Sequence, residues 1–132
     1  MMRIKTIFVV LIGSLSFFGC SEVTPEELAS LAAKGYYEHL IHGEYQQFLL
    51  GKDGLDRRAE DVLWNQLIDN CHQFIHQQEK SHRGIHEVRV VNAKTDTLQN
   101  YTNVFLMLCF GDSTNEEIVV PMVEHDGRWY MR

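Results

Sequence analysis

Ser81-His82-Arg83-Gly84, followed by Ile85-His86-Glu87-Val88-Arg89-Val90, is where the hydrophobic period of this chain changes. Upstream, apolar residues recur at spacings of three and four, as on a helix face; downstream, Val88 and Val90 alternate with Glu87 and Arg89, as on a half-buried strand. The chain therefore reads as helices first and strands afterwards, which is the order of an α+β domain.

Upstream of the break, a helix is predicted from about Asp56 to Lys80. Leu63, Trp64, Leu67, Ile68, Cys71, Phe74 and Ile75 fall within one arc of its wheel, with Asn65, Asp69, His72 and His76 opposite. A shorter helix covers Glu44 to Leu50, with Tyr45, Phe48 and Leu49 as its apolar side, and Gly51-Lys52-Asp53-Gly54 stops it. The first helix starts at Thr24-Pro25-Glu26-Glu27: Thr as N-cap, Pro in the first helical position, and Glu27 closing a capping box. Its expected inner face is Leu28, Leu31, Ala32, Gly35, Tyr36, His39 and Leu40, and it should end at Gly43.

Downstream, Leu98 to Phe110 reads as a strand apolar on both parities, with Val104, Leu106, Leu108 and Phe110 on one face. Tyr101, Phe105, Met107 and Cys109 occupy the other, so both faces are expected to be covered. Glu117 to Glu124 is a third strand in which Pro121 implies an edge or a bulge, since proline has no N–H for a ladder. Asp126-Gly127 turns the chain into a closing strand from Arg128 to Arg132. Residues 24–132 thus predict three helices packed on one side of a twisted four-stranded antiparallel sheet; its curvature is implied by the resemblance given below.

With 132 residues, 45% apolar and 23% charged, the chain has material for one core and not two. Two Pro and nine Gly exclude collagen-like and low-complexity chains, and three Cys are too few for a disulfide-built scaffold. Twelve Lys and Arg face eighteen Asp and Glu, so nucleic acid is excluded as an expected partner.

The N-terminus supplies a cellular address. Arg3 and Lys5 precede an uncharged, mostly apolar run from Ile7 to Phe18, the layout of a secretory signal peptide over residues 1–19 and too short to span a bilayer. Phe17-Phe18-Gly19-Cys20, a small residue directly before a cysteine, resembles the lipobox of Bacteroidetes-type lipoproteins. That resemblance implies cleavage before Cys20, acylation of its thiol, a short tether over residues 20–23, and a membrane partner reached through the lipid. Ser21 after the cysteine resembles lipoproteins sorted to an outer membrane. An acyl-bearing Cys20 would hold the domain at the cell envelope, because each buried methylene contributes about 0.8 kcal/mol.

A second resemblance concerns the domain. Ala33-Lys34-Gly35-Tyr36-Tyr37-Glu38-His39-Leu40 with Gly43-Glu44-Tyr45, and the closing Asp126-Gly127-Arg128-Trp129, resemble the first helix and last hairpin of small NTF2-like (cystatin-like) lipoproteins. The resemblance implies a cone-shaped sheet whose open end is a pocket in the ligand binders and enzymes of that superfamily. It carries no catalytic assignment, because no stretch matches the isomerase or cyclase patterns residue by residue.

The candidate pocket residues are His39, Tyr36, Tyr37, Trp64, Tyr101 and Trp129. His39 falls inside the expected inner face and reads as a core or pocket-rim histidine bonded to backbone or to a tyrosine such as Tyr101, with ligand contact or acid–base work as the alternative. His72 and His76, at i and i+4 beside Asp69, have chelating spacing but stand on the solvent side of their helix, so no metal site is expected. In an oxidising compartment Cys71 and Cys109 could form one bridge if their elements pack closely; two buried thiols are the favoured alternative. The chain carries no P-loop, dinucleotide fingerprint, nucleophile elbow or Cys-x-x-Cys pair, and no cofactor is expected. These readings converge on a non-enzymatic, membrane-tethered domain binding a small apolar molecule or a protein. An isomerase- or cyclase-like enzyme using the cone is one alternative. The other is a structural subunit that dimerises through a sheet face bearing Tyr101, Phe105 and Met107.

Overall fold

A computed structural model describes residues 22–55 and 61–132. The leader, Cys20 and the expected start of the third helix at Asp56 lie outside those residues. Three helices, α1 (Pro25–Ile41), α2 (Tyr45–Leu49) and α3 (Asp61–His82), precede four strands, β1 (Ile85–Asp96), β2 (Tyr101–Phe110), β3 (Asn115–His125) and β4 (Arg128–Met131). The strands form one antiparallel sheet in the order β1-β2-β3-β4, with the helices against one face. No helix among the described residues is long and apolar enough to cross a membrane.

The helix ends follow their local chemistry. Thr24 Oγ1 accepts a 3.1 Å hydrogen bond from the Glu27 N–H and so caps α1. Arg83 and Gly84 both have positive φ after α3, and their N–H groups reach back to the Glu79 and Gln78 carbonyls, satisfying acceptors that the helix end leaves open. The β2–β3 turn is tied to this helix end: Gly111 N–H donates to the Gly84 carbonyl and Asp112 N–H to that of His82.

The sheet's inner face is read from the register. Val88 lies opposite Leu108 and Val90 opposite Leu106, and beyond a bulge at Val91 the inner pairs are Ala93 with Val104 and Thr95 with Thr102. Val120 and Met122 continue this face on β3, and Met131 on β4. The bulges at His86 and Val91 each add one residue to β1, which bends the strand and increases its twist. Leu106, Val104 and Met122 are fully buried under α1, whose Ala29 and Ala33 are also fully buried.

Four sequence expectations are corrected here. The inner face of α1 is rotated: Ala29, Ser30, Ala33 and Leu40 are buried, whereas Leu28 and Leu31 are exposed, because small side chains let this helix approach the sheet closely. Leu63 and Phe74 of α3 are likewise exposed, leaving Trp64 and Cys71 as that helix's buried residues. The outer face of β2 is not covered: Tyr101, Phe105, Met107 and Cys109 are all half-buried, and no described element packs over them. β2 also starts at Tyr101 rather than Leu98, because Asp96 Oδ1 accepts from the Leu98 and Gln99 N–H groups and turns the chain first.

Pro121 stands in β3 opposite Asn103, and its carbonyl accepts from the Arg132 N–H at 2.8 Å. A residue's N and carbonyl point the same way in a strand, so the missing donor faces the end of β4, where pairing stops. Asp126 and Gly127 both take positive φ, as a two-residue hairpin requires. Beyond β4, the α2–α3 loop adds one parallel bridge: Met131 N–H donates to the Gly51 carbonyl and Asp53 N–H to that of Met131, both at 2.7 Å.

Candidate functional site

At the end of the sheet nearest the start of α1, three stretches leave a cavity of about 400 Å³ between them. The first turn of α1 contributes Pro25, Glu26 and Leu28; the β1–β2 hairpin contributes Thr95, Asn100, Tyr101 and Thr102; the β3–β4 hairpin contributes Glu124, Gly127 and Trp129. The volume is in the range of small-molecule sites.

The polar groups of this cavity are ordered by one another. Thr102 is buried, and its hydroxyl lies 3.0 Å from that of Thr95. Thr95 in turn donates a short hydrogen bond to Glu26 Oε2. That bond, with a smaller contribution from the residue's own backbone N–H, holds the Glu26 carboxyl below its ordinary pKa. Glu124 Oε2 accepts from the Gly127 N–H at 2.6 Å, which fixes the second carboxylate across its hairpin. Among the described residues, no Lys, Arg or His lines the cavity and neither carboxylate has an ion-pair partner.

Of the sequence candidates, Trp129 and Tyr101 reach this cavity. Tyr101 donates a short hydrogen bond to Gln99 Oε1 and carries the Arg132 guanidinium 5.0 Å from its ring centroid. Tyr36 stands behind the site: its hydroxyl donates to the Trp129 carbonyl at 2.7 Å, and burial raises its pKa, keeping the donor protonated. Tyr37 belongs to a separate cleft of about 280 Å³ between the helices, with Leu40, Phe48, Leu67 and Cys71, and meets the Phe48 ring edge-on at 5.4 Å. Trp64 is buried in the core.

His39 is in neither cavity. Its side chain is 41% exposed and its Nδ1 lies 2.9 Å from Glu44 Oε1, so the expected buried imidazole is a surface partner of the residue after Gly43. His72 is exposed with its ring edge-on to Tyr45 at 4.6 Å, and no group of three or more metal-ligating side chains exists among the described residues. Cys71 and Cys109 are both free thiols: Cys71 is buried beneath α3, and Cys109 is half-buried on the opposite face of the sheet. Burial raises the pKa of the Cys71 thiol.

Sequence reasoning missed Glu26, Thr95, Thr102 and Glu124. Glu26 was read as part of the helix start and Glu124 as the end of the third strand, and neither residue's local context reveals the other.

No known family profile matches this sequence, and no curated protein matches it. Among solved structures, the chain is similar in fold to a Campylobacter jejuni protein described as an NTF2-like transpeptidase. The match has a TM-score of 0.60 at 12% sequence identity and covers 83% of this chain and 97% of that one. Helices packed against one face of an open four-stranded antiparallel sheet, in this order, make the chain an α+β protein with an NTF2-like fold.

Proposed function

We propose that this protein is an envelope lipoprotein, anchored through Cys20, whose NTF2-like domain binds a small molecule in the cavity between α1 and the two hairpins. The observation that carries the binding role is that cavity itself: about 400 Å³, walled by Trp129, Leu28 and Pro25 and furnished with oriented polar groups. The N-terminal residues support the anchor, and outer-membrane sorting belongs to the same reading. Four residues, Ser21 to Thr24, lie between Cys20 and Pro25, so even a fully extended tether keeps Pro25, at the cavity wall, within about 18 Å of the acylated residue.

A binding role without catalysis is favoured by what fills the interior. The inner face of the sheet carries Val88, Val104, Leu106, Leu108, Val120 and Met122, and its ionisable residues Glu116 and Glu124 stand at the ends of β3. An isomerase or cyclase would need a titratable group facing a free polarising donor; in the cavity Glu26 and Glu124 each accept from a donor of their own neighbourhood, and the Tyr101 hydroxyl donates to Gln99. Transpeptidation by a thiol would need a readily ionised cysteine, and burial opposes ionisation of Cys71.

Two measurements test the reading. Cys20→Ser should abolish leader processing and membrane association, and a variant that still fractionates with membranes overturns the anchor. A small-molecule thermal-shift screen should find ligands whose effect disappears in Trp129→Ala, and ligands insensitive to that change overturn the cavity assignment.

One observation favours a second reading, dimerisation through the outer face of the sheet. Phe105 pairs with Val119, which is 52% exposed, and Met107 and Tyr101 continue the uncovered apolar surface. Sedimentation equilibrium of the parent and of Phe105→Glu tests it: a dimer lost in the variant supports the reading, and a parent monomer at 100 μM, as an order of magnitude for weak association, removes it.

A further inference from the structure

We propose that the cavity between Glu26 and Glu124 takes an organic ammonium ion, a primary or quaternary amine carrying a short apolar group. The inference rests on the reading of this cavity as a ligand site and names the chemical class that fits it.

Charge is the first consideration. Two carboxylates from separate elements line one small cavity, and among the described residues no Lys, Arg or His lines it with them. Each has one oxygen engaged by a neutral donor, Thr95 hydroxyl for Glu26 and Gly127 N–H for Glu124. These donors orient the carboxylates without neutralising them. The hydrogen bond from Thr95 also favours the ionised form of Glu26. Arg132, held over the ring of Tyr101, does not line the cavity, and neither does Arg128 between Gly127 and Trp129.

Shape and lining narrow the class further. A bare metal ion needs several converging oxygens at about 2.0–2.6 Å and not a space of this size; the described residues hold no cluster of three or more such ligands. The indole of Trp129, with Leu28 and Pro25, supplies an apolar and aromatic wall that suits the alkyl or aryl part of an amine, and an indole face also attracts a cation. Carboxylate or phosphate ligands are disfavoured: the positive end of α1 is already offset by Glu26 and Glu27 in its first turn. The threonine pair at Thr95 and Thr102 leaves hydroxyl lone pairs for a primary ammonium.

An ammonium could be free in the periplasm or carried on a lipid headgroup, and the tether length allows either source. The test titrates the purified full chain by calorimetry with tetramethylammonium, ethylammonium and phenethylamine, and with the matched probes 2-phenylethanol and phenylacetate. The expected result is binding of phenethylamine at least about tenfold tighter than 2-phenylethanol, equivalent to about 1.4 kcal/mol, with no binding of phenylacetate. Glu26→Gln and Glu124→Gln should each weaken the amine several-fold, and raised salt should weaken it as well.

Equal binding of amine and alcohol would overturn the ammonium assignment while leaving the cavity a ligand site. No binding by any probe, charged or neutral, would overturn both. To identify the source, the Cys20→Ser chain is sedimented with vesicles of phosphatidylethanolamine or of phosphatidylglycerol. Retention on the first alone, lost in Glu124→Gln, supports a lipid-borne ammonium; amine binding without retention supports a free one; retention on phosphatidylglycerol alone overturns the assignment.

Discussion

The hydroxyl of Tyr36, in the middle of α1, donates a 2.7 Å hydrogen bond to the backbone carbonyl of Trp129 in β4, 93 residues further along the chain. The same ring lies flat against Gly51, where an added Cβ would stand 2.5 Å from it. One side chain thus joins the first helix, the α2–α3 loop and the strand that carries the cavity's aromatic wall. Tyr36→Phe keeps the ring and leaves the carbonyl without its donor, so chemical denaturation should show a loss of about 1 kcal/mol with little change in slope.

Gly51→Ala should cost about 1–3 kcal/mol, since the ring cannot withdraw without breaking its bond to Trp129. In a Tyr36→Ala background that penalty should largely vanish. Additive losses in the double variant would show that the ring does not set the space at Gly51.

The N-cap of α1 gives a third expectation. Thr24→Ala removes the acceptor for the Glu27 N–H, and the melting midpoint should fall by an amount equivalent to about 1 kcal/mol. Thr24→Ser should keep most of that stability. If the two variants melt together, the hydroxyl is not the capping group.

Asp112 provides a pH dependence. Its carboxylate accepts from the hydroxyl and N–H of Thr114 and lies 3.0 Å from His82 Nδ1, and hydrogen bonds from Thr114 lower its pKa to about 2. A carboxyl more acidic when folded stabilises the fold above its unfolded pKa of about 3.8, and that contribution disappears as pH falls through about 2. Melting curves of the parent and of Asp112→Asn should differ at pH 5 and converge toward pH 2. A gap that stays constant over this interval would show that the charge does not contribute.

The core sets a reference for the cavity wall. Leu106→Ala empties a fully buried position and should cost about 2–5 kcal/mol. Trp129→Ala should cost less, because Trp129 is half-buried and faces the cavity; equal losses would place the indole in the core.

Local signals of the sequence correspond closely to the structure where the physics is local. The Thr24 cap, the positive-φ pair Asp126-Gly127 and the two-residue period of Val104, Leu106, Leu108 and Phe110 each follow from a few neighbouring residues. The rotation of α1 was not legible, because which of Leu28 or Ala29 faces inward depends on how close the sheet lies. β1 ran longer than its visible alternation because the bulge at Val91 shifts the parity between Val90 and Ala93. Of the site, the aromatic Trp129 and Tyr101 were legible by type. Glu26 and Glu124 were not, since 98 positions separate them and only the assembled sheet brings both to one cavity.

The strap formed by Gly51 to Asp53 against Met131 has a bearing on what this domain avoids. A short terminal strand with bare backbone groups invites a neighbouring chain to extend the ladder, copy after copy, and here the N–H and the carbonyl of Met131 are already occupied. At the far side, β1 is kinked twice and bears Glu87, Arg89 and Lys94, an irregular and charged template. Runaway fibre growth is thereby discouraged at both margins. If the chain is held on a two-dimensional surface by the anchor proposed above, such crowding makes that protection most useful.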